Sequence, residues 1–172
     1  MKRAGILTVS DRSAAGKRDD LSGPMISKML LNAGWEIVQE KVIPDDMETI
    51  KSSLIDWSDS GVVDLILTTG GTGFGRRDCT PEATQAIIER NAPGLVEAMR
   101  AASLRITHHA MLSRAAAGIR GNVLIINLPG SPKGAKENLQ VIMPALPHAV
   151  QLLQDDPASE QGHHQSPTLG HA

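Results

Sequence analysis

The sequence predicts an α/β fold with a mostly parallel sheet flanked by helices. Two observations carry this expectation. Short apolar runs alternate along the chain with segments of helical periodicity, the pattern of strand–helix–strand units. Twice, an apolar run also leads straight into a glycine-containing loop and then a Thr–Pro or Ser–Pro helix start, at Val62–Pro81 and at Val123–Pro132.

Gly5–Val9 reads as a buried strand, followed by a polar loop through about Leu21. Ser22 is a candidate cap for a helix that carries Ile26, Met29, Leu30 and Ala33 on one face and stops at Gly34. Trp35–Ile43 is rich in β-branched residues and reads as a second strand, ended by Pro44. Asp45 or Asp46 then opens a helix with Met47, Ile50, Leu54 and Trp57 turned inward. Because Glu48 follows Asp45 by three, Asp45 reads on residue chemistry as a capping aspartate.

Val62–Leu67 is a third strand. It enters TTGGTGFGRRDCTPEAT, residues 68–84, which has four glycines within six residues. Glycine admits positive φ and close backbone approach, so Gly70, Gly71, Gly73 and Gly75 suit a loop whose N–H groups face a phosphate. Thr80 as cap and Pro81 at the first helical position place a helix N-terminus beside that loop. Arg76 and Arg77 add charge for phosphate oxygens, and Asp78 is a candidate ligand for Mg²⁺. Neither of two familiar phosphate motifs is present: after Gly70 and Gly75 the P-loop Lys–Ser/Thr pair is replaced by Arg76–Arg77, and Gly71 and Gly73 lack the third glycine of the dinucleotide fingerprint.

A further helix begins near Gly94, with Leu95, Met99, Ala102 and Ile106 at helical spacing and Thr107–His109 near its end. Periodicity leaves Met111–Gly121 open, so Ser113, Arg114 and Arg120 read equally as surface groups or as contacts to an anion. Val123–Leu128 is a fourth strand. It runs into Pro129–Gly134, where Ser131 is the cap and Pro132 the first helical residue, and Pro144 and Pro147 are expected to break the last helical region in two. Residues 1–154 are expected to form one domain and the polar stretch 155–172 a disordered tail.

Composition narrows the function classes. A net charge of −2 makes no general case for nucleic-acid binding, and two tryptophans, one phenylalanine and no tyrosine offer little for stacking bases. No apolar run approaches the ~20 residues of a membrane span. The first segment is too short and polar for a secretory signal, and the single Cys79 rules out an internal disulfide, so a cytoplasmic protein is expected. Cys79 itself reads as a small filler, and neither a Ser–His–Asp spacing nor a zinc signature competes. In a parallel sheet the strand-to-helix loops share one edge. Ser10–Asp11, Asp45, Gly70–Asp78 and Pro129–Lys133 are therefore expected to converge on one crevice suited to a polyanion and Mg²⁺.

Taken together, TTGGTG with RRD and TPEAT, the upstream IPDD, the SRAAAGIRG segment and the NLPGSPKG loop resemble the MogA-type molybdopterin adenylyltransferases and the related G domains of gephyrin and plant Cnx proteins. The resemblance covers about residues 5–153. It departs from bacterial members at Phe74 and Gly75 and in lacking a longer insertion before the last helix. It implies a three-layer MogA-like fold and transfer of AMP from Mg-ATP to the terminal phosphate of molybdopterin. It also implies a cytoplasmic homotrimer and a downstream molybdenum-insertion protein of the MoeA type. By residue, it assigns Asp45 and Asp78 to catalysis, with Asp78 also at Mg²⁺, which reverses the capping reading of Asp45. It gives the substrate phosphate to the Gly71–Thr72–Gly73 turn, with Gly70 and Arg77 also substrate-binding, the pterin to Ser113 and Arg114, and the nucleotide border to Pro129, Gly130 and Ser131. Two alternatives share these motifs: a MoaB-like relative of the same fold that binds molybdopterin, and a non-catalytic module that presents pterin to a metal-insertion partner.

Overall fold

The computed structural model describes residues 1–154, so the stretch 155–172, expected to be a disordered tail, lies outside the described residues. The chain runs β1 (Arg3–Val9), α1 (Asp11–Ala14), α2 (Ser22–Asn32), β2 (Glu36–Ile43), α3 (Met47–Asp59), β3 (Leu65–Thr69), α4 (Thr80–Ile87) and β4 (Arg90–Asn91). It continues through α5 (Pro93–Leu104), a 3₁₀ turn (His108–Leu112), β5 (Ala117–Arg120), β6 (Val123–Leu128), α6 (Pro132–Ile142) and α7 (Leu146–Leu153). Strand order across the sheet is β2-β1-β3-β6-β5-β4. The first four strands are parallel and β5 and β4 are antiparallel.

The apolar runs form parallel strands because both of their faces are covered. Along β3 and β6 alternate residues enter opposite layers. Leu65, Leu67, Leu124 and Ile126 pack with Ile26 and Leu30 of α2, Val96 and Met99 of α5, Leu139 of α6 and Val150 of α7. Ile66 and Ile125 pack with Ile50, Leu54 and Trp57 of α3 and with Ala83 and Ile87 of α4. Each fully buried aliphatic side chain contributes about 2 kcal/mol of transfer free energy. This is the three-layer arrangement expected from the sequence.

Three details differ from the sequence reading. β3 begins at Leu65 and extends through Thr68 and Thr69, both of which pair with β6. Asp64, just before it, accepts hydrogen bonds from the Arg3 backbone N–H at 2.8 Å and from Arg3 Nη2 at 2.7 Å. Met111–Gly121 divides between the 3₁₀ turn and β5, so this open segment includes an antiparallel edge strand. Ser22 is not the cap of α2. Asp20 Oδ1 accepts from the N–H groups of Ser22 and Gly23, while Ser22 Oγ donates to the Gly130 carbonyl at 2.9 Å. No helix among the described residues is long and apolar enough to cross a membrane.

The register places the functional loops side by side. Val9 pairs with Ile43, Thr8 with Thr69, and Thr69 with Leu128, so β1, β2, β3 and β6 end along one edge. The loops after them open on that edge.

Candidate active site

The glycine loop turns sharply where β3 ends. Gly70 and Gly71 have φ of +101° and +65°, and a Cβ on Gly70 would collide with the Val9 carbonyl. A Cβ on Gly71 would collide with Thr80 Oγ1 and lie 3.0 Å from Asp45 Oδ1. Only glycine fits at either position. The second loop is drawn against the first by Thr69 Oγ1, which donates to the Pro129 carbonyl at 2.7 Å, and a Cβ on Gly130 would lie 3.1 Å from Gly70 Cα. Ser131 caps α6 as expected, accepting from Gly134 N–H at 3.1 Å.

The N–H groups of the loop are not equivalent. That of Gly70 is bound to the Leu128 carbonyl and that of Gly75 to Asp78 Oδ2, whereas those of Gly71, Thr72 and Gly73 have no partner among the described residues. The short Gly71–Gly73 turn therefore presents the free donors an anion needs. Beneath it lies Thr80, whose side chain points inward. Helix α4 starts at Thr80 with Cys79 in the cap position, and Thr80 Oγ1 is buried without a partner.

The two adjacent aspartates divide the expected work. Asp46 caps α3, accepting from Thr49 N–H at 2.9 Å. Asp45 is thereby released from capping, and its Oδ2 accepts from Asp11 N–H at 2.8 Å while its own N–H donates to Asp11 Oδ1 at 3.0 Å. Burial pushes the Asp45 carboxyl above the usual carboxylate range, and the charges of Asp11 and Asp78 push it the same way.

Two cavities flank the glycine loop. The first, about 440 Å³, contains Asp45, Asp78, Gly70, Gly71, Gly130 and Ser131 in its walls. The second, about 280 Å³, is lined by Thr72, Gly73, Ser113, Pro129 and Ser131, with Met99 and Asn138. Ser131 belongs to both, so the cavities adjoin.

Two expected ligand contacts line neither cavity. The guanidinium of Arg77 makes a two-pronged pair with Asp11 at 2.8 and 2.9 Å, which holds the Asp11 carboxyl below its ordinary range. Arg114 donates to the carbonyls of Gly73 and Asp78, at 2.7 and 2.8 Å, and pairs with Glu82. Its backbone N–H also binds the Thr72 carbonyl at 2.9 Å. Arg114 thus braces the glycine loop, and Arg77 ties it to Asp11. Sequence reading placed Asp11 at the crevice without giving it a role, and it gave none to Asp20, which accepts from Thr8 Oγ1 at 2.7 Å and lines the first cavity. For Asp11 the signal was a polar residue just after an apolar strand; Asp20, in the loop before α2, carried none.

Fold and site together define an α/β protein with a glycine loop, its N–H groups at Gly71–Gly73 unengaged among the described residues, between two adjoining cavities. The chain belongs to the family described as a probable molybdopterin binding domain, which matches residues 5–148. It is 46% identical over 165 residues to gephyrin of Dictyostelium discoideum, covering 90% of this chain but 23% of that protein, so it spans about a quarter of that relative's length. It is 45% identical over 153 residues to the molybdopterin adenylyltransferase of Helicobacter pylori (strain ATCC 700392 / 26695), covering 87% of this chain and 86% of that protein. Among solved structures, the molybdopterin biosynthesis enzyme MoaB of Thermus thermophilus superposes with a TM-score of 0.86 at 48% identity, covering 91% of this chain and 99% of the other.

Proposed function

We propose that the chain is a molybdopterin adenylyltransferase that transfers AMP from Mg-ATP to the terminal phosphate of molybdopterin and releases pyrophosphate. The observation that carries this reading is the pair of cavities meeting at the Gly71–Gly73 turn and Ser131, which gives two substrates a shared boundary at a phosphate loop. The similarity to the Helicobacter pylori enzyme along most of both chains supports the same activity.

The acidic first cavity suits Mg-nucleotide. The second, with a more apolar wall and the polar side chains of Ser113 and Asn138, suits the pterin. A terminal phosphate oxygen of molybdopterin attacks the α-phosphorus, a new P–O bond forms, and the bond to the β-phosphate oxygen breaks with its electron pair leaving on pyrophosphate. A phosphate oxygen is already anionic at neutral pH, so the protein's contribution is positioning and charge neutralisation. The N–H groups of Gly71, Thr72 and Gly73 orient the acceptor phosphate. Asp45, held by Asp11, fixes the nucleotide side.

The donor set fits magnesium. Among the described residues no three acidic, histidine or cysteine side chains form a ready cage. Magnesium, however, is typically held by one or two carboxylates together with substrate phosphates and water, and Asp78 and Asp45 both line the first cavity. Asp78, with Asp45 nearby, would hold the ion, which when bound neutralises charge developing on the phosphates.

The same reading includes a cytoplasmic homotrimer that hands its product to a MoeA-type insertion protein. Exposed Ile106, Met111 and Leu112 around the 3₁₀ turn support association through that face. The test is incubation of the protein with molybdopterin, ATP and Mg²⁺, followed by mass spectrometry. Mg²⁺-dependent adenylylated molybdopterin is the expected product. Pterin binding without product would overturn the activity in favour of a carrier.

A further inference from the structure

The first cavity has a charge problem. Five aspartates line it: Asp11, Asp19, Asp20, Asp45 and Asp78. Among the described residues only Asp11 is paired with a cation of the protein, Arg77, while Asp20, Asp45 and Asp78 accept hydrogen bonds from neutral groups alone. The remaining carboxylates repel any polyphosphate not accompanied by positive charge. The cations singled out from the sequence do not meet that need, because Arg77 and Arg114 are engaged by the scaffold and Lys133 faces Glu137 at 3.9 Å outside the cavity lining.

Only Arg12 and Arg18 among the described cations line this cavity, and neither side chain has a hydrogen bond or ion pair there. The fold brings the two together. Helix α1 ends at Ala14, Gly16 takes φ of +67°, and the Lys17 N–H returns to the Arg12 carbonyl at 2.9 Å. This tight reversal keeps both arginines in the one loop after β1, and both line the cavity together with Ser131 and Gly130.

Resting on the adenylyltransferase reading, we propose that Arg12 and Arg18 form the subsite for the β- and γ-phosphates of the nucleotide, and so for the pyrophosphate that leaves. Guanidinium groups match phosphate oxygens in two-pronged fashion and stay charged at every working pH. Being unpaired, they lose no internal partner when the ligand enters. They also place the leaving group beside the β1–α2 loop, whereas the acceptor phosphate is held by the glycine loop.

The experiment is calorimetric titration of the full chain with inorganic pyrophosphate plus Mg²⁺ and, separately, with Mg-ATP, neither of which requires turnover. The variants are Arg12→Gln, Arg18→Gln, their double, and Lys28→Gln, an exposed cation on α2 outside the cavity; circular dichroism confirms that each is folded. We expect each single substitution to weaken pyrophosphate about tenfold and the double to weaken it further. Mg-ATP should follow the same order, molybdopterin affinity should stay constant, and Lys28→Gln should behave as wild type. Unchanged pyrophosphate and Mg-ATP binding in the double variant would overturn the subsite, as would an equal loss of molybdopterin binding. Because adenylylated product is assayed separately, the subsite fails alone if wild type makes product but the double variant binds pyrophosphate normally. If wild type makes no product, pyrophosphate binding still decides the subsite.

Discussion

Asp45 and Asp46 are neighbours with opposite duties. Asp46 satisfies the first turn of α3, whereas Asp45 faces the cavity with a carboxyl that burial pushes above the ordinary range. A raised folded-state pKa means that the native state holds the proton more tightly than the unfolded chain, so stability falls as pH rises from the ordinary carboxylate range through the folded value. Asp45→Asn removes that penalty while keeping an oxygen for the Asp11 N–H. We expect a melting temperature at neutral pH equal to or above wild type, a difference that closes below pH ~4, and adenylyl transfer reduced by orders of magnitude. Thermal denaturation across pH, paired with the product assay, checks both. Asp78→Asn is likewise expected to remain folded and to lose transfer by orders of magnitude; near-normal turnover in that variant would remove Asp78 from the mechanism.

Among the elements, one polar contact at each end of the sheet fixes the strands that carry the loops. Asn127 on β6 donates from Nδ2 to Thr68 Oγ1 and Thr84 Oγ1, at 3.0 and 2.9 Å, and accepts from Ala116 N–H at 3.0 Å. It is completely buried. Asn127→Ala leaves three polar groups without partners and should cost about 2–4 kcal/mol in denaturant unfolding. At the opposite end of the sheet, burial pushes the Asp64 carboxyl up but the hydrogen bonds from Arg3 outweigh it and hold the carboxyl below its usual range. This contribution is present above the unfolded carboxylate pKa and is lost as pH falls through the lower folded value. Asp64→Asn should therefore lower stability by about 1–3 kcal/mol at pH 7 and flatten the acid limb of the unfolding curve.

The parts legible in the sequence share a physical character. Ile66 and Ile125 sit in apolar runs because both faces of their strands are covered, and Ser131–Pro132 announces a helix by local chemistry alone. β4 and β5 were not legible, since strands of two and four residues at an edge carry too little pattern, and their pairing is set by tertiary contact. Asp45 read as a cap because its offset to Glu48 mimics a capping box, and spacing alone cannot distinguish it from Asp46. The engagement of Arg77 by Asp11, 66 positions away, and of Arg114 by the Gly73 and Asp78 carbonyls is long-range, and no local motif signals it.

For the whole molecule, the central claim is that two substrates occupy two adjoining cavities at once, with the Gly71–Gly73 turn between them. Arg114 holds that turn through the Gly73 and Thr72 carbonyls, and the cavities share Ser131. The most direct measurement is a titration of molybdopterin into the protein, with and without a saturating nonhydrolysable Mg-ATP analogue. We expect one molybdopterin per chain in both cases, with affinities within a few fold of each other and both ligands retained. Displacement of molybdopterin by the analogue would contradict the two-cavity site, because it would place both ligands in one space.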